Sequence, residues 1–514
     1  MTNSPQKSNS ARGSFARQKA SQKNNPESGA IQIGTRRELF VDDWLIEKMQ
    51  DARLQLQRPE RREIALSFDA PQEDSVAFPN SVLPWDGGWR LYYRAAILDL
   101  KDETNSTLSA LAESRDGITF VRPELGLCEF HGSKRNNILS MRNGLLGMPP
   151  AFLDINPACP PEQRFKGLTM RSVPKDVNDG FPLAELYAMT SPDGLHWSLL
   201  QKAPLELLGQ FDTINTAFWD TLAGCYRCYT RRWYYLDPTT GRKLSVDSSR
   251  NQIDVRNKEN LRDAKFVRAI QHATSPDFIH WTEPELLQYA DGKNATELYT
   301  NAIVPCPGAE HIYLGFPARF IGERKADPTH PEGSINDALF MSSRDGVHWN
   351  RWLDAWVCPG LDPLNWTNRN NYPVWGIVET SPTEWSMYIS EHYRHAPLPV
   401  RMRRLAIRPW GFVSVHAEYT GGELLTKPFI FSGSFLHLNA KTSAAGSIQV
   451  EIQDESGQTV PGFALDDMAP WFGDALDAPV VWKNGGDLSS LVGRSVRLRF
   501  LLKDADLFAL QFVK

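Results

Sequence analysis

The chain has 514 residues, 41% of them hydrophobic, which is enough for one large domain and a smaller one with cores of their own. The formal net charge of −5 leaves no basic excess. That, with no basic amphipathic segment and no apolar run long enough for a bilayer, argues against nucleic acid and membranes as partners.

The first thirty or so residues, MTNSPQKSNSARGSFARQKASQKNNPESGA, are polar and lack the apolar stretch of a signal peptide. They read as a disordered tail over 1–34, and the chain as written reads as cytoplasmic. The next segment, RRELFVDDWLIEKM (36–49), is expected to pack on the following domain or help to close it.

A turn motif then recurs: ESRDGITF at 113–120, TSPDGLHW at 190–197, TSPDFIHW at 274–281 and SSRDGVHW at 342–349. Its serines, Ser114, Ser191, Ser275 and Ser343, are 77, 84 and 68 residues apart. IRPWGFVSV, around 407–415, stands as a degenerate fifth copy. The aspartate can accept bonds from the amides that follow it, and glycine takes the positive φ, so each copy reads as a turn between strands. In phase with the turns lie five pairs of strand-like segments: NSVLPW and WRLYYRA, PPAFLD and RFKGLTMRS, NTAFWD and CYRCYTRR, NAIVPC and HIYLGFPAR, YPVWGIVET and EWSMYISEH. One such unit per four-stranded sheet predicts an all-β fold, a five-bladed β-propeller over 35–419, with helical periodicity almost absent. From Thr420 the alternation changes to period two with frequent turns, which predicts a C-terminal β-sandwich over 420–514.

The 16 tryptophans suit a β-rich core and equally a protein that stacks rings on sugars. The six cysteines are scattered. Cys225 and Cys228 form C-x-x-C inside a strand, where the odd offset sends them to opposite faces, so they read as reduced thiols and no metal site is expected.

Several segments carry a resemblance: ELFVDDWLIE, PNSVLPWDGGWRLYYRA, FLDINPACPPEQRFKGL, FDTINTAFWD, ELYTNAIVP and GGELLTKPF. Together with the five blades and the C-terminal sandwich they resemble the glycoside hydrolase family 32 and 68 group and the related family 43. More specifically they resemble an uncharacterised bacterial branch similar to the family 32 N-terminal region. The resemblance implies a glycosidase acting on an oligo- or polysaccharide, with no organic cofactor, and it allows a structural calcium ion in the channel. The W-M-N-D-P-N-G-like, R-D-P and E-C motifs of family 32 are absent, so catalytic acids must be argued by position.

In a propeller the inner strands line a central channel, and residues just before them converge at one rim. Asp74, Asp212 and Glu297 precede the inner strands of blades one, three and four. Glycoside cleavage needs two carboxylates flanking the bond. Asp74 is expected as nucleophile or base, Glu297 as general acid and Asp212 as stabiliser, with Asp154 the blade-two candidate. The alternative for each is a turn cap or an ion pair. Asn80, Asn215 and Asn301 open the inner strands, with Tyr299 beside them. Arg94, Arg171, Arg231 and Arg319 each end a second strand, with Glu391 in the fifth place. This row is either an ion-pair network or a recognition surface for an anionic sugar, uronic or sulfated. Trp375 is a candidate stacking platform and His392 a candidate rim residue. Three other readings stand beside hydrolysis: a non-catalytic carbohydrate-binding propeller, a sialidase-like enzyme and a phosphorolytic glycosidase.

Overall fold

The recurring Ser-x-Asp turn links the third strand of a blade to its fourth. In a computed structural model describing residues 29–96, 107–141, 150–172, 184–236, 265–293, 296–330 and 333–514, the first four copies make the same bonds. Asp116 Oδ1 accepts from the amides of Ile118 and Thr119, Asp193 Oδ1 from Leu195 and His196, Asp277 Oδ1 from Ile279 and His280, and Asp345 Oδ1 from Val347 and His348. Gly117, Gly194 and Gly346 take φ of 71°, 74° and 80°. In the third copy Phe278 holds this left-handed position, at φ 69°. A bulky side chain there is strained by about 1–2 kcal/mol. Its ring is fully buried against Phe152, Tyr226 and Trp281, which offsets the strain.

These turns organise a five-bladed β-propeller. Blade one comprises Phe78–Trp85, Gly88–Ala96, Thr107–Ser114 and Ile138–Met141. Blade two comprises Ala151–Leu153, Phe165–Ser172, Ala184–Ser191 and Ser198–Leu199. Blade three comprises Thr216–Asp220, Cys225–Leu236, Lys265–Ser275 and Glu285–Leu286. Blade four runs Val304–Cys306, Ala309–Gly315 with its continuation Ala318–Ile321, Ile335–Ser343 and His348–Val357, and Gln288–Tyr289 is added in parallel at its outer edge. Blade five takes Val378–Ser381, Glu384–Glu391 and Arg401–Ile407 from its own stretch and its outer strand, Glu60–Ser67, from ahead of blade one. That exchange closes the ring. The helical pieces among the described residues are three-residue 3₁₀ turns.

The remaining strands form one ten-stranded sheet. Its C-terminal members are Gly422–Thr426, Phe429–Phe431, Phe435–Asp454, Asp474–Pro479 and Ser495–Val513. Leu436, Leu438, Ile448, Val450, Ile452, Leu498, Phe500 and Phe512 point into a core of their own. The register shift between Thr442 and Ser447 bends the long strand so that both of its halves reach this core.

Strand pairing departs from the expected boundaries at three places. Ile31–Gly34, expected within the tail, pairs in parallel with Phe429–Phe431, while residues 1–28 lie outside the described residues. Within 36–56, Glu38–Leu39, Ile46–Gln50 and Ala52–Leu56 also join the C-terminal sheet. The same segment packs on blade four, where Arg344 bonds Glu38 and Asp42 at 2.9 and 2.8 Å. Closure itself falls to Glu60–Ser67. Finally, Val413–Ala417 pairs with Ala52–Leu56 and Ser495–Val513. The fifth turn is degenerate because the chain leaves the propeller there instead of adding a fourth strand.

Candidate active site

Where the inner strands begin, a cavity of about 250 Å³ opens on the propeller axis. All five blades contribute: Phe78, Asn80 and Arg94 from blade one, Leu168–Met170 from blade two, Phe211–Asn215 ahead of blade three, Tyr299 ahead of blade four, and Arg369 and Tyr372 ahead of blade five. Only the central channel can be touched by every blade, so topology alone converges these residues.

Two linked ion pairs form one wall. Asp212 lines the cavity and is bonded to Arg231, whose guanidinium lies 4.4 Å from the Tyr299 ring centroid. Glu297 accepts from Arg268 Nη1 at 2.6 Å, and Arg268 lies 4.1 Å from the Phe320 ring. Trp233 sits between the two cations, 5.4 Å from Arg231 and 5.2 Å from Arg268.

Across the axis, Arg94 donates to the carbonyl of Val76 at 3.0 Å and to the Tyr393 hydroxyl at 3.2 Å. Arg369 donates to the same hydroxyl at 2.9 Å. Burial pushes Tyr393 up, but the charges of Arg94, Arg369 and Arg394 outweigh it and bring the phenol down to about 8. Tyr372 behaves oppositely: burial, reinforced by the neighbouring Tyr299 phenol, pushes it well above the usual tyrosine range. Several polar atoms here are buried and make no hydrogen bond among the described residues, among them the donors Arg94 Nε, Arg231 Nε and Nη1 and the Tyr372 hydroxyl, and the acceptor Asn215 Oδ1. Each such donor costs roughly 1–3 kcal/mol.

Of the four acids singled out from sequence, Asp212 is the one that lines the cavity. Asp74 is half-buried in the loop before blade one, its Oδ1 taking the Ser75 amide at 2.5 Å. That loop borders the cavity wall: the carbonyls of Ser75 and Val76 bond the Arg394 amide and Arg94. Glu297 stands behind Tyr299, held by Arg268. Asp154 is buried away from the cavity, bonded to Lys166 at 2.5 Å and Tyr226 at 2.7 Å, and ties blade two to blade three.

The binding residues divide in the same way. Asn80, Asn215, Tyr299, Arg94 and Arg231 are at or against the cavity. Asn301 is instead a buried brace between blades three and four, bonded to Thr216 and to the carbonyls of Ile214 and Tyr229. Trp375 is in the core with its indole on the carbonyl of Ile303. Arg171 is exposed and paired with Glu185, and Arg319 is paired with Asp337. Glu391 is fully buried among Arg61, Arg401 and Arg403, and His392 bonds Asp362 at 2.7 Å. The arginine row is therefore not a ring.

Arg369 stands just ahead of the fifth strand-like segment, YPVWGIVET, which opens at Tyr372, but neither is a carboxylate and neither was taken as a site residue. Tyr393 lies in the irregular loop after Glu384–Glu391 and was not singled out. Among the described residues no group of three or more His, Cys, Asp or Glu is arranged to hold a metal ion. Calcium takes about six to eight oxygen ligands. Among the described residues the cavity offers one carboxylate, already bonded to Arg231, beside two guanidiniums, and this lining does not fit that ion.

No family model matches the chain, and no curated protein matches it in sequence. Among solved structures it is similar to a protein described as a glycoside hydrolase, at 12% identity and a TM-score of 0.42, over 69% of this chain and 93% of that one. An N-acetylgalactosamine deacetylase from F. plautii, in complex with blood group B trisaccharide, has the same identity and score over 69% and 95%. A β-1,2-mannobiose phosphorylase from Listeria innocua gives 12% and 0.40 over 68% and 97%. Likeness at this level carries nothing about activity. No helix among the described residues is long and apolar enough to cross a membrane.

Proposed function

We propose that the axial cavity binds an anionic sugar unit, uronic or sulfated, of an oligo- or polysaccharide and that the protein cleaves its glycosidic bond. The observation that carries this reading is the charge of the lining: among the described residues it holds two arginines, Arg94 and Arg369, and one carboxylate, Asp212, which is already bonded to Arg231. An oxyanion on a sugar supplies acceptors that match the guanidiniums of Arg94 and Arg369 in the lining. Phe78, Tyr299 and Tyr372 supply aromatic surface for the ring.

In this reading Asp212 is the carboxylate at the reacting bond, supported by its place in the cavity wall and its exposure. Asp74, in the bordering loop, is the second acid of the pair that hydrolysis needs. Glu297 serves to hold Arg268. A second reading, a carbohydrate-binding propeller without turnover, is favoured by the pairing of Glu297 with Arg268 and of Asp154 with Lys166.

Incubation with uronic-acid-containing, sulfated and neutral oligosaccharides separates the two. Hydrolysis restricted to anionic substrates, lost in Asp212→Asn and Asp74→Asn with binding kept, is expected. Binding without products in the unmutated protein favours the second reading. A sugar phosphate formed only when inorganic phosphate is added would replace hydrolysis by phosphorolysis. Equal turnover of neutral and anionic substrates would remove the anionic part.

A further inference from the structure

We propose that Tyr393 is a positioning residue that sets the charge the cavity offers its ligand: its hydroxyl holds Arg94 and Arg369 in the wall, adding no charge as a phenol and one negative charge as a phenolate. The proposal rests on the reading of the cavity as an anionic-sugar site.

The geometry is built at some cost. Tyr393 is 1% exposed, yet its hydroxyl takes bonds from two arginines that both line the cavity. Arg94 makes no ion pair with a carboxylate among the described residues; its partners are Tyr393 and the carbonyl of Val76. The two loops that meet here hold four non-glycine residues at positive φ: Arg369 at 61°, Asn371 at 61°, His392 at 65° and Arg394 at 60°. Such conformations cluster where surrounding structure must fix a functional geometry. Asn370 Oδ1 takes the Tyr393 amide at 2.9 Å and joins the two loops, and Asn336 Oδ1, on the blade-four strand Ile335–Ser343, takes the Arg369 amide at 2.8 Å.

Among the described residues, the charged and titratable groups that face Tyr393 are Arg94 from blade one, Arg369 from the loop before blade five and Arg394 beside it in the chain. His330 reaches only its backbone carbonyl, at 3.4 Å. The three guanidiniums outweigh burial and bring the phenol to about 8, within reach of working pH. An anion bound at Arg94 and Arg369 opposes this ionisation, and ionisation in turn opposes the anion, by the same factor.

The test uses the whole protein with D-glucuronate as probe and D-glucose as neutral control. Tyrosinate absorbance is followed in a pH titration of the unmutated protein and of Tyr393→Phe, which keeps the ring. One tyrosine ionising near pH 8 and missing from the variant is expected, as is an upward move of its midpoint under saturating glucuronate. Glucuronate affinity should hold below that pH and fall above it, by at most tenfold per unit and in total by the factor that corresponds to the midpoint's move, and the variant should lack this fall. The ligand-induced move is read in the unmutated protein, so it stands even if the variant folds poorly. Glucuronate preferred over glucose with no pH dependence, or with no tyrosine ionising below the usual range, overturns the proposal and leaves the anionic-sugar reading. Glucuronate bound no better than glucose at every pH overturns both.

Discussion

Asp212 and Arg231 are bonded to each other across a steep gradient of exposure: the arginine side chain is 1% exposed and the aspartate 47%. The carboxylate faces the cavity and the cation is locked behind it. Removing the carboxylate therefore strands a buried charge. Asp212→Ala is expected to lower unfolding stability by about 3 kcal/mol, read in a denaturant titration. The Asp212→Ala, Arg231→Met double variant should recover most of it. Asp212→Asn keeps a hydrogen-bond acceptor, so it should cost much less stability while still abolishing turnover. Equal destabilisation by the alanine and asparagine variants would show that the pair is not held in this way.

Glu391 was expected in a binding row and is instead the hub of blade closure. Arg61 bonds it from the outer strand at 2.7 Å, and Arg401 and Arg403 bond it from the next strand at 3.2 and 3.1 Å. Without the carboxylate three guanidiniums repel one another across the seam between Glu60–Ser67 and Arg401–Ile407. Glu391→Ala is expected to cost about 4 kcal/mol. Amide hydrogen exchange should accelerate first in 60–67 and 401–407, ahead of blades two and three. Uniform acceleration across the propeller would count against a local role at the seam.

Blade number and turn positions were legible in the chain because both are local. A Ser-x-Asp turn makes its bonds within four residues, and the aromatic that follows it packs at once. Asp212 and Arg94 were legible because each sits at a fixed offset from a strand end. The exchange of strands between the two ends of the chain was not, since Glu60–Ser67 meets Arg401–Ile407 across more than three hundred residues and no local pattern encodes that pairing. Nor was the split of the asparagines: Asn215 and Asn301 open their strands alike, but Asn301 turns to Thr216 and becomes structure. Tyr393 was hidden for the same reason, because its environment is made by arginines from blade one and the loop before blade five.

The turns themselves can be tested through Asp193. Its Oδ1 takes two amides, at 2.8 Å each, and its Oδ2 contacts His196 Nδ1 at 2.7 Å. Burial works against the ionised carboxylate, but these bonds outweigh it and hold Asp193 well below the usual carboxylate range. Asp193→Ala is expected to cost about 1–2 kcal/mol, and Asp193→Asn about half as much, because the amide oxygen still caps the turn. Activity at saturating substrate should be unchanged in both, since the turns are not part of the cavity. A thermal melt and a turnover assay on the same preparations check the two halves.

Glu38 gives the protein its expected acid limb. Burial alone would push its carboxyl up, but the His311 imidazole 3.3 Å away and the charges of Arg344 and Arg36 hold it down at about 2. A carboxyl whose folded value lies below its unfolded one contributes stability that is complete above the unfolded value and is lost as pH falls through the folded one. For Glu38 the window runs from about 4.5 down to about 2. Across it the contribution lost is about 3 kcal/mol. Unfolding stability measured from pH 6 to pH 2 should therefore fall more steeply in the unmutated protein than in Glu38→Gln, which starts lower and slopes less. Arg344→Met should flatten the same limb, because it removes the cation through which the N-terminal segment docks on blade four. Parallel curves for all three proteins would mean that Glu38 does not carry the acid response.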